Sequence, residues 1–210
     1  MACFARGGVT AHQGVFSGGQ IGYEGVVQTI FTTSLTPEQY AEQDYQRQVR
    51  PPETCPNCLR AHSLEALCYY HRYITSTTAL VLWIWIRRFW CRHCHISVSC
   101  LPQFAQPYRP VNTPTIAEGF NGQATPQVAR WSELIRGYWR RLETQLPVLV
   151  RQVGNAFGPL PLQPTARSFW RQLLERSGDL ATGTRQLIHQ FHTCLFGTYR
   201  CHQRRQLQAA

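Results

Sequence analysis

The clearest chemistry in this sequence belongs to two Cys-x-x-Cys pairs, Cys55/Cys58 and Cys91/Cys94. Each pair can offer two thiolates from one tight turn, and two such turns supply the four ligands of a tetrahedral zinc ion. Because all four positions are cysteine, none is left open for a water molecule, and we expect the metal to be structural. The sequence therefore predicts one structural Zn²⁺ ion that joins two turns separated by residues 59–90.

Other potential metal ligands lie near these pairs or far along the chain. His93 and His95 flank the second pair, and we interpret them as surface histidines. In a reducing compartment, nine cysteines favour metal binding over disulfides. We do not predict a second metal site from Cys194, Cys201 and the neighbouring His192 and His202, because their spacing matches no established zinc finger. Whether these residues bind a second metal stays an open question.

Positive charge is the second chemical feature of the chain. All 21 basic residues are arginine, and the formal net charge is +10. By segment the charge is −1 over residues 1–50 (three Arg, four acidic), +4 over 51–110 (six against two) and +7 over 111–210 (twelve against five). Arginine grips phosphates through two parallel hydrogen bonds and stacks on bases, which favours a nucleic-acid partner. A GC-rich coding sequence is an alternative cause of the missing lysine.

Two groups of arginines are candidate nucleic-acid contacts. One lies at the end of an apolar strand and in the second cysteine turn; the other lies on a predicted helix, away from its apolar stripe, where it can meet backbone phosphates. A solvated helix face is the alternative interpretation for any single member. The candidates are Arg87, Arg88 and Arg92 in the first group, and Arg130, Arg136, Arg140 and Arg141 in the second.

A β-hairpin is predicted to position the cysteine pairs. Leu67–Ile74 and Leu80–Trp90 are rich in aromatic and β-branched residues, and Thr75–Thr78 separates them. A third strand over His95–Cys100 would pair back onto the hairpin. We place this ribbon at residues 51–106, after the Pro51-Pro52 boundary.

Upstream of the ribbon the signals are weaker. Residues 1–34 are rich in Gly, Gln, Thr and Ser, which indicates a poorly ordered arm with one short strand over Val26–Phe31. Within residues 35–50, Thr36 can cap and Pro37 can begin a short helix that reaches Gln48.

Downstream, the period of the apolar residues changes from two to about 3.6. Pro107–Pro110 reads as a stiff connector, and Thr115–Phe120 as a short helix before an Asn121-Gly122 turn. A longer helix is predicted to begin at Thr125-Pro126, so residues 107–146 are helix-turn-helix-like. Residues 147–210 are predicted to hold C-terminal helices over 148–157, 165–176 and 184–196, and a frayed tail. The apolar face of the long helix comprises Val128, Trp131, Ile135, Tyr138 and Leu142.

We find no catalytic constellation in the sequence. Phosphodiester hydrolysis by two metal ions needs clustered carboxylates, and the five acidic residues that follow residue 110 are dispersed. Nor does the sequence contain a Gly-x-Ser-x-Gly, phosphate-loop or dinucleotide motif. The sequence therefore predicts a protein that is not an enzyme.

Two observations bear on location. Residues 79–86 form the longest apolar run, far short of the roughly 20 residues of a membrane-spanning helix. Residues 1–8 lack the charged start and apolar run of a secretory signal. We expect a cytoplasmic protein, nucleoid-associated if its source is bacterial, with no membrane contact.

Several motifs together resemble one known group. They are the Cys55-Pro56-Asn57-Cys58 turn, the aromatic strand that leads into Cys91–Cys94, the Ser97–Phe104 stretch and Pro107-Tyr108-Arg109. Over residues 47–142 the chain resembles bacterial zinc-ribbon proteins of unknown function that accompany, or are described as, insertion-sequence transposases. The resemblance implies a zinc ribbon followed by a helix-turn-helix, and DNA binding in a mobile-element setting. It departs at Leu59 and His95, where such turns usually carry glycine.

Together these features predict an α+β protein: a small β zinc ribbon followed by a mainly helical, helix-turn-helix-like C-terminal part. Its expected function is DNA binding, as a transposase-derived or transposition-accessory protein without its own catalytic domain. Two alternatives stay open. One is a protein-protein adaptor that uses the ribbon and the apolar strand Leu80–Ile86, and the other is a truncated transposase.

Overall fold

The computed structural model describes residues 25–159 and 161–200, and within them the protein is a mixed α+β structure. These residues form six strands and six helices, with one 3₁₀ turn at Tyr45–Arg47. The strands are β1 (Val26–Phe31), β2 (Leu64–Thr75), β3 (Val81–Cys91), β4 (Ser97–Pro102), β5 (Ala105–Gln106) and β6 (Arg109–Asn112). The helices are α1 (Pro37–Glu42), α2 (Thr113–Phe120), α3 (Pro126–Arg130), α4 (Ser132–Val153), α5 (Ala166–Ser177) and α6 (Leu180–Phe191).

A four-stranded sheet in the order β1-β4-β3-β2 forms the first half of the molecule. The predicted hairpin is confirmed, because β2 and β3 pair antiparallel from Leu64↔Cys91 to Thr75↔Val81. The predicted third strand is also confirmed, since β4 pairs antiparallel with the Arg87–Trp90 end of β3. Among the strands that the structure describes, the rest of β3 pairs with β2 alone.

Strand β1 lies within the segment that the composition indicated to be a poorly ordered arm. Its predicted bounds are confirmed, and it pairs parallel with β4 from Val26↔Ser97 to Phe31↔Pro102. Val27 is fully buried. The arm interpretation is therefore wrong for these residues, because a pairing with β4 some 70 positions away orders them. Residues 1–24 lie outside the described residues.

Helix α1 begins where its cap predicts and ends early. The Thr36 side chain accepts a hydrogen bond from Gln39 N, and the Gln39 side-chain oxygen accepts one from Thr36 N, which completes a capping box. The helix ends at Glu42, not at Gln48, because Asp44 adopts a left-handed conformation with φ 48°.

The predicted stiff connector at Pro107–Pro110 is instead the turn of a small β5-β6 hairpin. Tyr108 occupies this turn with φ 60°. Its amide donates to Gln28 Oε1 at 2.9 Å, and its hydroxyl donates to Val26 O at 3.1 Å. These bonds fasten the turn to β1, so the segment is part of the fold and not a spacer.

The predicted pair of helices around Asn121-Gly122 is present with altered bounds. Asn112 caps α2, so this helix begins at Thr113. Gly122 takes a left-handed φ of 78°. The second helix is interrupted at Trp131, whose half-buried indole packs against the helical core, and α4 then begins at Ser132. A Cβ on Gly119 would lie 2.7 Å from Ile135, so α2 and α4 are in close contact.

Helix α4 continues through Pro147 to Val153, so the predicted start of a new segment there is wrong. A proline removes one main-chain hydrogen bond, and the turns beyond it are anchored by Leu149 and Val153, both buried. Helix α5 begins at Ala166, one residue after the predicted start, because the Thr165 side chain caps it. Helix α6 begins four residues before the predicted Thr184, because Asp179 caps it.

Helix α6 joins the sheet to the helical half. Ile188 packs in one buried cluster with Val27 and Ile96. Thr29 Oγ1 lies 2.7 Å from His189 Nε2 in a hydrogen bond between β1 and α6. The two halves therefore share a packed interface and are not modules joined by a linker. In the described residues, no helix combines the length and the apolar character needed to cross a membrane.

Candidate metal centre and arginine surfaces

The four predicted cysteines converge at one end of the β2-β3 hairpin. Their sulfur atoms all lie within 4.8 Å of one another. Cys55 Sγ is 3.7 Å from Cys94 Sγ, and Cys58 Sγ is 3.7 Å from Cys91 Sγ. Sulfurs bound at about 2.3 Å to a tetrahedral ion lie about 3.8 Å apart, whereas disulfide sulfurs lie about 2.05 Å apart. The cluster is therefore compatible with a structural zinc site and contains no disulfide.

The two cysteine turns have the same backbone design. Leu59 N donates to Cys55 O at 2.8 Å, and His95 N donates to Cys91 O at 3.0 Å. In addition, Cys55 N donates to Arg60 O and Cys91 N donates to Ile96 O, both at 3.0 Å. Each turn thus presents its two sulfurs from a closed loop that depends on local hydrogen bonds.

Both turns close through a left-handed residue that is not glycine. Leu59 has φ 59° and His95 has φ 55°. A side chain in this conformation costs about 1–2 kcal/mol. Backbone strain of this kind persists only where contacts with the surrounding structure stabilise it. The rest of the fold therefore holds the two cysteine turns together despite the strain at Leu59 and His95.

The protonation of the cluster is uneven. Burial raises the pKa of the Cys55 and Cys94 thiols. Burial also acts to raise the pKa of Cys91, but hydrogen bonds with the Ser63 hydroxyl and the amides of Cys94 and His93 outweigh it and lower this pKa to about 6. Several thiolates in one enclosed space repel each other, and a divalent cation at the centre would compensate them.

A segment after α6 contacts the first cysteine turn. Tyr199 donates its hydroxyl proton to Pro56 O at 2.6 Å, and Arg200 bonds the Asn57 side chain. Ser63, 3.4 Å from Cys91 Sγ, supports the second turn. No sequence signal pointed to these residues, because each acts through a contact with a distant part of the chain.

The first group of predicted arginines is engaged within the sheet. Arg87 stacks on Tyr69 at 5.0 Å and donates to Arg47 O, and Arg88 stacks on Tyr70 at 4.6 Å. Arg92 is exposed on the second cysteine turn and forms an ion pair with Glu65. Since Arg87 and Arg88 are adjacent in β3, their side chains lie on opposite faces of the sheet.

The second group is exposed along α3 and α4. Arg136 and Arg140, one turn apart, line a groove of about 330 Å³ together with Trp139. Arg130 lies over the Trp131 ring at 5.6 Å, at the end of α3. Arg141 lies about 100° around the helix from Arg140. The structure thus brings two of the four arginines onto one groove.

The groove contains one arginine that the sequence did not single out. Arg167 of α5 stacks on Trp139 at 5.0 Å and donates to Phe120 O at 2.9 Å. Arg136 is paired with Glu133, whereas the described residues place no carboxylate within ion-pair distance of Arg130, Arg140 or Arg141. The exposed positive charge of α4 is therefore only partly compensated.

The second potential ligand group is not assembled in the described residues. Cys194 is buried against Val27, Ile96 and Ile188, and within this part of the chain the four clustered cysteines are the only group of three or more potential metal ligands that lie close together. Cys201 and His202 lie outside the described residues. His93 and His95 are exposed on the second turn and do not belong to the cluster.

Comparison with protein-family models, with curated proteins and with solved structures found no match. By its structure, the protein is a mixed α+β protein with a four-cysteine cluster. The likeness to insertion-sequence zinc-ribbon proteins stays a prediction from the sequence motifs.

Proposed function

We propose that the protein is a DNA-binding module in which a zinc ribbon, built around the four cysteines, is joined to a helix-turn-helix-like part. In this proposal it is transposase-derived or accessory to transposition and lacks its own catalytic domain. The mobile-element setting rests on the sequence resemblance. The observation that carries DNA binding is the set of exposed arginines on α3 and α4 that have no carboxylate partner among the described residues.

Zinc has a structural role in this proposal. The sulfur separations of 3.7 Å match tetrahedral thiolate coordination. The ion would fasten β3 to the segment before β2, and so hold the sheet against which α6 packs. Cys55, Cys58, Cys91 and Cys94 supply every ligand, which leaves no position for a substrate or a catalytic water.

Duplex DNA would be held through its phosphates. Arg130, Arg140 and Arg141 present guanidinium groups that can replace the counterions of the DNA backbone, and each phosphate contact adds about 0.9 to the slope of log affinity against log salt. Such contacts set the position of the protein on the duplex and carry no sequence information of their own.

Metal content and duplex affinity test the proposal together. The purified protein is expected to contain one zinc per chain, and its affinity for a labelled duplex should fall steeply between low and physiological salt. Arg140→Glu should weaken binding and reduce the salt slope. Arg50→Glu is the matched control, because Arg50 is exposed in the segment before the first cysteine turn and undergoes the same charge change.

Two results would contradict the proposal. If the protein folds normally without zinc, the zinc-ribbon part of the proposal is wrong. If duplex affinity does not change with salt, or if Arg140→Glu weakens it no more than Arg50→Glu does, the proposed contact between the arginines and the phosphates is wrong.

A further inference from the structure

The 193–200 segment, which follows α6, ends against the first cysteine turn. The Tyr199 hydroxyl donates to Pro56 O at 2.6 Å, and the Arg200 guanidinium donates to the side-chain oxygen of Asn57. Pro56 and Asn57 are the two residues between the cysteines of this turn. The segment therefore contacts the backbone that sets the separation of the two sulfur atoms.

The middle of this segment is anchored in the helical half. Leu195 and Phe196 are buried in the helical core together with residues of α2, α4 and α5. A bridge between Cys194 and Gly197 closes a turn around them. Because buried side chains fix the backbone directly before Tyr199, the helical half determines where the Tyr199 side chain lies.

The ring of Tyr199 has contacts of its own, separate from those of its hydroxyl. It stacks on the ring of His192, the residue that ends α6, with the ring centres 5.2 Å apart and 17° between the planes. Tyr199 and the metal-ligand candidate Cys94 also pack against one buried cluster. The members of that cluster are Val27, Ile96, Ile188 and Cys194. Tyr199 thus contacts the cluster beside the second cysteine turn while its hydroxyl bonds to the first.

The two cysteine turns differ in how the sheet holds them. The second turn joins β3 to β4, and these strands pair directly beside it at Trp90↔Ser97. The first turn lies before β2 and is closed by its own hydrogen bonds and by an isolated bridge between Thr54 and Ala61. The first turn therefore takes part of its position from contacts outside the sheet, and the 193–200 segment supplies such contacts.

We propose that the 193–200 segment is a positioning element for the metal centre, in which Tyr199 and Arg200 hold the first cysteine turn where its sulfurs meet those of the second, and so retain the ion. This inference rests on the structural zinc of the proposed function. Contacts that orient metal ligands from outside the coordination sphere change metal affinity by about 10- to 100-fold. The coupling is mutual, because two events that favour each other do so by the same factor. A bound ion therefore also holds this segment, and with it the helical half, against the cysteine end.

Zinc transfer to a chromophoric chelator tests the role of the hydroxyl. Tyr199→Phe keeps the ring and its stack on His192 and removes only the donor, so the fold should tolerate it. We expect zinc affinity to fall about 10-fold and zinc release to become faster. Tyr73→Phe is the matched control, because it removes the same hydroxyl from a side chain that is 46% exposed at the end of the hairpin away from the cysteines. This control should release zinc at the wild-type rate.

A second variant and a spectrum separate positioning from general stabilisation. Arg200→Met removes the bond to Asn57 at an exposed side chain, and it should weaken zinc binding about 2- to 5-fold, the lower part of the range for one hydrogen bond. Arg171→Met, at an exposed position of α5, is its control. Saturated with Co²⁺ in place of zinc, Tyr199→Phe and Arg200→Met should both show the visible spectrum of the wild type, because the four cysteines still bind. A contact that only stabilises the fold would leave metal affinity unchanged.

Amide hydrogen exchange measures the reciprocal effect. Removal of zinc from the wild type should speed exchange in residues 193–200, while the amides of α5 keep their protection. In Tyr199→Phe the bond to Pro56 is absent with or without zinc, so the zinc-dependent difference in this segment should be smaller. An equal difference in the two proteins would contradict the mutual coupling.

The outcomes separate this inference from the proposed function. If the wild type binds zinc and Tyr199→Phe releases it at the wild-type rate, the inference is wrong and the zinc site stands. Faster release from Tyr199→Phe, in a protein that binds no duplex, supports the inference and overturns the DNA contact. A wild-type protein that binds neither zinc nor Co²⁺ overturns both the metal site and this inference.

Discussion

The four-cysteine end of the sheet and the helical half are held together by different means. Of the described residues, seventeen are buried in the helical core, including Phe120, Leu142, Trp170 and Leu173. The core beside the cysteines has seven, of which three are cysteines. A small apolar core contributes little stability by itself. The comparison indicates that the helical half is stabilised by packing, whereas the cysteine end has little apolar core and, under the proposed function, would depend on a bound ion.

Among the changes that test this comparison, disruption of the proposed metal site should have the largest effect on the structure. Cys55→Ser with Cys94→Ser leaves two ligands, and structural zinc sites of this kind contribute about 10–16 kcal/mol of apparent binding energy in small domains. We expect amide hydrogens of β3 and β4 to lose protection against exchange while the helical circular dichroism is largely kept. Cys68→Ser is the matched control, because Cys68 is half-buried in β2 and outside the cluster. Retained protection in the double variant would show that packing alone holds the sheet.

A cavity in the helical core should have the next largest effect, in the opposite half. Leu142 is fully buried, so Leu142→Ala should lower the free energy of unfolding by about 2–5 kcal/mol. Zinc content should remain unchanged. Denaturant unfolding followed by circular dichroism, with metal analysis of the same sample, measures both. Leu134→Ala on the exposed side of the same helix should change stability by less than about 0.5 kcal/mol. If Leu142→Ala also lost zinc, the stability of the cysteine end would depend on the helical core, and the two halves would not be stabilised independently.

Glycine at the left-handed positions should stabilise the cysteine turns slightly. Leu59→Gly and His95→Gly relieve a strain of about 1–2 kcal/mol, and the greater freedom of glycine in the unfolded chain offsets about half of it. We expect each to raise the free energy of unfolding by about 0.5–1 kcal/mol. Arg60→Gly, next to Leu59 but not left-handed, should lower it. A loss of stability in Leu59→Gly would mean that its side chain contributes more than its backbone costs.

The contact between the sheet and the helical half should weaken in acid. Of the four predictions, this one has the smallest expected effect on stability. Burial, followed by the charges of Arg185 and His192, lowers the pKa of His189. The unfolded chain therefore binds this proton more readily than the folded one, and stability falls as pH drops below about 6.5, the ordinary histidine value. His189→Gln can keep a hydrogen bond to Thr29 without titrating. The melting temperature of this variant should fall less between pH 7 and pH 5.5 than that of the wild type, and parallel curves would contradict the assignment.

Local chemistry made much of this structure predictable. The cysteine cluster was found from spacing, because two residues between ligands close a turn whatever surrounds it. The caps at Thr36 and Thr125 were predictable for the same reason, since each side chain accepts a hydrogen bond from an amide three positions away. The hairpin followed from two aromatic, β-branched runs joined by a polar turn.

The starts of α2 and α6 were misplaced because the local caps Asn112 and Asp179 were overlooked, but the larger errors arise where distant contacts decide the structure. The connector at Pro107–Pro110 became a hairpin because Tyr108 bonds to β1, and α4 passed through Pro147 because buried residues lie beyond it. The arginines could be listed from the sequence, but their roles could not. Arg87 and Arg88 are equivalent in sequence and lie on opposite faces, and Arg72 and Arg109 became largely desolvated without any signal in the spacing of charges.

By itself, the sequence determined the four cysteine positions, the caps at Thr36 and Thr125 and the apolar face of the long helix, because these depend on interactions within a few residues. Only the tertiary structure decided which arginines stay exposed, which face of the hairpin is left open and how β1 and the segment around Tyr199 enclose the cysteine turns. Those outcomes depend on desolvation and on pairing between segments that lie 37 to 143 positions apart in the sequence. No local pattern encodes such pairings, because their energy comes from the assembled core.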